Sequence, residues 1–177
     1  MPPKFPTIRT KRLFLVPISL RYKHQIFKEF TPEITTFMFP SPARKIAESE
    51  KFIRESRRNM VKGKELVFAV LNKRTKVFFG CAGLHKMNTK HPELGIWIKK
   101  SSHGHCYGRE AMTAIKQWAD KNVRYDYIFY PVAKANKASR KIAEALGGRF
   151  IREFVGKKQN GEKMWEVEYR IFQEEII

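Results

Sequence analysis

The stretch Glu93-Leu94-Gly95-Ile96-Trp97-Ile98, followed after Lys99-Lys100-Ser101-Ser102 by His103-Gly104-His105-Cys106-Tyr107-Gly108-Arg109-Glu110-Ala111, decides the fold. Its first part alternates as a strand does, with Glu93, Gly95 and Trp97 on one face and Leu94, Ile96 and Ile98 on the other. A helix is expected from Gly108 to Lys121, with Ala111, Met112, Ile115, Trp118 and Ala119 as its buried stripe. The loop between them, residues 101–108, contains glycine and opens onto a helix N-terminus. Free N–H groups and the positive end of the helix dipole meet there. Such a loop is either an ordinary strand-to-helix turn or a place where a phosphate sits. A Walker loop is excluded, because the Lys-Ser/Thr ending is missing. His103 and His105 alternate, but no third ligand accompanies them at a recognisable spacing, so no metal is expected.

Upstream, Thr10 to Val16 reads as a first strand stopped by Pro17, and Ser19 is placed to cap a short helix from Leu20 to Phe30. Pro32, Pro40 and Pro42 predict an irregular connection. A second helix is expected from Ala43 to Met60, with Ile46, Ile53 and Met60 on one face. Glu65 to Leu71 and Val77 to Leu84 read as strands joined by Asn72-Lys73-Arg74-Thr75. Downstream, Tyr127 to Val132 is a continuous apolar strand of the kind found inside a sheet. Asn136 caps a helix ending at Gly147-Gly148. Arg149 to Val155 and Lys163 to Phe172 form a hairpin across Gln159-Asn160-Gly161. The order predicts one α+β domain over residues 1–177: a single mixed, mostly antiparallel twisted sheet flanked by helices.

A chain of 177 residues with 42% hydrophobic content is long enough to bury a sizeable core. No apolar run approaches a membrane span, and Met1-Pro2-Pro3-Lys4-Phe5-Pro6 lacks the apolar stretch of a signal peptide. Cys81 and Cys106 have no metal or redox spacing, so a reduced, cytoplasmic protein is expected. Lys and Arg number 36 against 17 acidic residues, a net charge of +19. That charge either favours polyanionic partners or is a solvated basic surface. It is spread along the chain, so nucleic acid is expected to bind only through non-specific charge.

Four segments resemble the GNAT superfamily of acetyltransferases, most of all the branch of ribosomal-protein N-terminal acetyltransferases, RimJ and RimL. Thr10-Lys11-Arg12-Leu13-Phe14-Leu15 is similar to the branch's Thr-Glu-Arg-Leu start. Glu93 to Ile98 resembles its Glu-hydrophobic-Gly-aromatic strand, and His103 to Ala111 its pyrophosphate loop. Asn136-Lys137-Ala138-Ser139 with Glu144-Ala145-Leu146-Gly147 resembles its Asn-x-x-Ser…Glu-x-Leu-Gly signature. The resemblance implies the acyl-CoA N-acyltransferase fold and direct acetyl transfer from acetyl-CoA, without a metal, to a primary amine. The N-terminal α-amine of a ribosomal or acidic protein is the acceptor put first; a small amine such as an antibiotic or polyamine, or a non-catalytic CoA- or RNA-binding module, is the alternative. A highly basic enzyme attracts a polycation poorly unless its pocket is locally acidic.

The resemblance also implies roles. Glu93 is the expected base, the alternative being a glutamate paired with a lysine. Ser139 is expected at the coenzyme sulfur, the alternative being a first-turn polar residue; many GNAT enzymes place a tyrosine one turn later, where this chain has Ala143. The backbone of Ile96, Trp97 and Ile98 is expected to pair with the pantetheine arm, which Asn136 also contacts. His103, Gly104, His105, Cys106, Tyr107, Gly108 and Arg109 are expected around the pyrophosphate, with Arg140 and Lys141 as further phosphate ligands; the alternative for Arg109, Arg140 and Lys141 is a solvated charge. Cys106 stands where the family pattern has glycine, which a small side chain tolerates if its backbone angles are ordinary. The acceptor pocket is expected from residues 31–60 and the final hairpin, and a monomer or homodimer is expected.

Overall fold

The computed structural model describes residues 5–173. Met1 to Lys4, part of the proline-rich start, lie outside the described residues. The strands are β1 (Ile8–Arg9), β2 (Leu13–Pro17), β3 (Leu66–Asn72), β4 (Phe78–His85), β5 (Glu93–Ile98), β6 (Ile128–Ala133), β7 (Arg149–Lys157) and β8 (Lys163–Ile171). They form one sheet in the order β1-β2-β3-β4-β5-β6-β8-β7. Every neighbouring pair is antiparallel except β5 and β6. A parallel pair requires a crossover, and helix α4 (Tyr107–Asn122) supplies it.

The sheet has two covered faces. On one, α4 and α5 (Lys137–Ala145) pack over β2, β4, β5 and β6. On the other lie α1 (Lys23–Glu29) and α3 (Ile46–Val61). Adjacent residues of β4 show the division: Phe79 stacks on Tyr107 of α4, while Phe78 meets Tyr22 and Trp97 behind the sheet. Leu13, Leu15, Phe68, Val70, Met112 and Ile115 are fully buried between these layers.

Local expectations mostly hold, with physical reasons where they fail. The first strand begins at Leu13, because Thr10 and Arg12 close a turn on Glu110 instead. Pro17 does not stop it but is its last residue, opposite Phe68. Ser19 makes no side-chain cap bond, and the helix after it divides into a 3-10 turn at Leu20–Tyr22 and α1. The connection rich in proline contains a short helix, α2 (Pro32–Thr35), whose cap Thr31 accepts from the Ile34 N–H. In α4 Trp118 is only half-buried, and Lys116 takes a buried place with its ammonium 2.7 Å from Asp120. At the end of α5 the Gly148 and Gly147 N–H groups donate to Ala143 and Glu144 carbonyls, and Gly147 has φ +77°. This is a Schellman cap, which a residue with a Cβ enters only at a cost.

Candidate active site

β5 pairs with β4 along its whole length but meets β6 only where Glu93 faces Phe129. Beyond that point the two parallel strands part. The Lys99 N–H donates to the Phe79 carbonyl at 2.7 Å, so odd-numbered residues of β5 bond to β4. By alternation Ile96 and Ile98 turn their N–H and C=O groups into the gap. Of the three residues expected to offer backbone there, Trp97 does not: its main chain pairs with Cys81. Its ring packs behind the sheet, 5.0 Å from Phe30 and 5.8 Å from Phe78.

A cavity of about 410 Å³ continues this gap toward the N-terminus of α4. Ile96, Trp97, Ile98, His103, Gly104, Cys106, Tyr107, Gly108, Arg109, Asn136 and Ser139 line it together with Ser102, Ala138, Lys141, Ile142, Ile34 and Met38. The His103 Nε2–H donates to the Ile98 carbonyl at 2.6 Å, tying loop to strand. A Cβ at Gly108 would press Ile142 Cδ1 at 3.2 Å, so glycine there lets α4 approach α5.

Three expectations about this loop need correction. The angles of Cys106 are not ordinary: φ is +59° and ψ 20°, the left-handed region. The family's glycine fits that conformation freely, whereas a residue with a Cβ pays for it. His105 does not line the cavity; it is exposed and leans on the Tyr107 ring. Arg140 does not line it either, because its guanidinium bonds the Tyr169 hydroxyl at 3.2 Å and the Lys134 carbonyl. Helix rotation presents the next residue, Lys141, in its place.

At the other end of the cavity, Asn136 caps α5 by accepting from the Ser139 N–H at 3.1 Å. That bond fixes the first turn and sets the Ser139 hydroxyl 2.9 Å from the Tyr130 hydroxyl. Burial pushes the Tyr130 phenol up to about 12, so it is a neutral group able to donate to Ser139 and leave the serine proton free. Sequence reasoning missed Tyr130, which reads as one more apolar residue of a core strand. Ala143, where many relatives carry tyrosine, is fully buried in the core.

Behind the sheet the character changes. Glu93 accepts from Lys86 at 2.7 Å. Glu65 is 2.8 Å from His85. Burial pushes the Glu65 carboxyl up, but the bond and charge of His85 together with the Asn59 and Ser56 bonds outweigh it and hold it below the usual range. Glu166 of β8 is buried, and burial plus the charge of Glu93 push it up to about 7. Its neighbour Glu168 is bonded by both Arg152 and Arg170. A second cavity, about 490 Å³, lies between Thr36 and Phe37, Ala133 to Ala135, and the β7–β8 hairpin, the segments expected to form the acceptor pocket. Glu166 was also missed: beside Val167 and Tyr169 it falls on the alternation's polar face and reads as solvent-exposed. Among the described residues no group of three or more His, Cys, Asp or Glu is placed to hold a metal, and no helix is long and apolar enough to cross a membrane.

The fold finds its match in known proteins. The model of the acetyltransferase (GNAT) domain matches residues 12–149. The chain belongs to the GNAT family and is an acetyl-CoA-dependent N-acetyltransferase. A GCN5-related N-acetyltransferase from Brucella melitensis superposes with TM-score 0.81 at 19% identity, covering 99% of this chain and 82% of that one. The Salmonella typhimurium acetyltransferase that modifies the N-terminal serine of ribosomal protein L7/L12 gives 0.82 at 13% identity, covering 94% and 99%. Spermidine N-acetyltransferase from Vibrio cholerae, solved with CoA and spermine, gives 0.80 at 18% identity, covering 93% and 97%. At these identities the likeness is one of fold. Comparison with curated protein sequences gives no match.

Proposed function

We propose that this chain acts as one cytoplasmic N-acetyltransferase domain whose acceptor is a primary amine, in first place the N-terminal α-amine of a protein such as a ribosomal protein. The supporting observation is the cavity at the β5–β6 gap, which brings the edge of β5, the N-terminus of α4 and the capped first turn of α5 with Ser139 together. Acetyl-CoA enters from the α4 side. The α4 N-terminus and the loop residues His103 to Arg109 hold its pyrophosphate, Lys141 adds a cation, and the backbone of Ile96 with the N–H of Ile98 takes the pantetheine amides as an added strand would, the Ile98 carbonyl being held by His103. Ser139, held by Asn136 and Tyr130, donates its proton toward the departing thiolate. Glu93 stands on the acceptor side, where its charge draws in the ammonium. An α-amine, with a pKa of about 8, reaches its neutral form more readily than a lysine amine at about 10.4. The +19 charge steers acidic or RNA-bound acceptors to the surface.

One observation favours a second acceptor, a polyamine. One sheet face carries Glu65, Glu93, Glu166 and Glu168; His85, Lys86, Arg152 and Arg170 pair three of them, and Glu166 is left for a cationic acceptor. The test is incubation with acetyl-CoA and, separately, a serine-initiated peptide, a ribosomal protein fraction and spermidine, with coenzyme A release and product mass as readouts. Peptide or protein products acetylated at the α-amine support the first acceptor, and acetylspermidine alone supports the second. Tight acetyl-CoA binding with no acetylated product would sink the enzymatic proposal and leave a binding module. The same samples run by light scattering distinguish monomer from homodimer.

A further inference from the structure

We infer that Glu166 receives the proton of the incoming ammonium, in a pocket roofed by Phe39 and floored by the bare backbone of Gly156. The inference rests on the acetyl transfer proposed above. Glu166 is 2% exposed as a residue, its carboxyl makes no hydrogen bond or ion pair among the described residues, and the little surface it keeps includes the carboxyl oxygens. A carboxyl buried in that way is costly, and folded proteins keep such groups chiefly where chemistry needs them. A Cβ at Gly156 would fall on Glu166 Oε2 and lie 2.8 Å from Phe39 Cζ, so the carboxyl is packed against glycine beneath an aromatic ring.

Its position suits the task. Phe39 follows Met38, which lines the cofactor cavity, and Phe37, which lines the second cavity. Within the sheet Glu166 lies opposite Ala133, whose carbonyl accepts from the Asn136 N–H at 2.8 Å. The carboxyl thus stands one strand from Ala133, which lines the second cavity and holds the cap that orients Ser139. The charged groups around it leave it without a cation. Glu93 of β5 bears on it and is tied to Lys86, while Glu168 of β8 holds Arg152 of β7 and Arg170. A proton arriving at Glu93 must displace an ion pair; at Glu166 it displaces nothing.

The step balances without a further reagent. An N–H proton of the ammonium passes to the Glu166 carboxylate, freeing the nitrogen lone pair. The lone pair attacks the thioester carbonyl and forms the C–N bond. Collapse of the tetrahedral adduct breaks the C–S bond, and the second nitrogen proton reaches the sulfur through Ser139. Glu166 then returns its proton to water. Burial and the charge of Glu93 push Glu166 up to about 7, near the α-amine value of about 8, so the first transfer is close to isoenergetic at neutral pH.

The test compares wild type with Glu166→Gln, Glu166→Asp and Glu93→Gln, using acetyl-CoA with a serine-initiated peptide and with spermidine. Acetyl-CoA affinity is read by calorimetry, kcat/KM against pH by thiol release, and the protonated-carboxyl infrared band against pH. The expected result for Glu166→Gln is unchanged acetyl-CoA affinity, a fall of about 10²-fold in kcat/KM, and loss of the acidic limb near pH 7. Glu166→Asp keeps that limb at a reduced rate, and so does Glu93→Gln, with the limb moved to lower pH. A Glu166→Gln enzyme that retains the limb, at whatever rate, overturns the inference and leaves Glu166 a packing role. Should wild type acetylate neither probe, the function proposed above fails and the infrared band still decides. A band absent from Glu166→Gln and titrating near pH 7 sustains Glu166 as the poised proton acceptor; a carboxyl fixed in one state across that range overturns it.

Discussion

On the α4–α5 side of the gap between β5 and β6, the wall is made chiefly of main-chain groups, small side chains and neutral hydroxyls, with Arg109 and Lys141 as its cations: the edge of Ile96 and Ile98, the loop at Gly104 to Gly108, and the Asn136–Ser139–Tyr130 chain. On the opposite side the polar groups are carboxylates from β3, β5 and β8, beneath a segment rich in phenylalanine. The difference fits the occupant proposed for each side. A pantetheine arm and a pyrophosphate are uniform along their length, and backbone at a strand edge and a helix N-terminus recognises them with little need for particular side chains. An ammonium must be drawn in, desolvated and deprotonated, and only ionisable side chains at set positions do that. The first side is therefore built from contiguous sequence, and the second from residues brought together across the sheet.

Four variants test this contrast. Ser139→Ala has the largest expected effect: kcat falls about 10²-fold, about 2.7 kcal/mol, while the KM for acetyl-CoA stays within a few-fold, as steady-state kinetics will show. A parallel rise in KM would instead make Ser139 part of cofactor binding. Gly156→Ala displaces the Glu166 carboxyl and disturbs only the acceptor side. It is expected to cost about 1–3 kcal/mol in denaturant unfolding and to reduce acetylation while calorimetric acetyl-CoA affinity is unchanged. Equal losses on both sides would mean that the two walls are one mechanical unit. Asn136→Ala removes the cap of α5, with an expected loss of about 1 kcal/mol seen as a lower Tm, and loosens Ser139. Cys106→Gly has the smallest effect and the opposite sign. It relieves a left-handed backbone at some cost in chain entropy, for a net gain of about 0.5–1 kcal/mol in urea unfolding, with no change on the acceptor side.

Legibility differed between the sides in the same way. β5 was read to the residue, and the Asn136 cap and the hairpin of β7 and β8 within a residue or two, because each is announced by alternation, a capping side chain or a glycine turn. Ser139 was readable because it lies three residues from its cap. His105 and Arg140 were assigned to the cofactor by proximity in sequence, and the helix and loop turn them elsewhere. Cys106 was visible as a departure from glycine, but its φ was not, since a single residue gives no sign of the sign of its torsion. Glu166 and Tyr130 left no local signal at all.

Alternation, caps and turns are interactions between residues close along the chain, so the sequence by itself determined the elements, their order and the glycine-bearing loop that opens onto α4. The parting of β5 from β6, the covering of the rear face by Phe39, and the burial of Glu166 beside Gly156 and within reach of Glu93 were decided only by tertiary structure. A carboxyl's environment is set by what packs over it. Here that cover comes from a segment more than a hundred residues earlier in the chain.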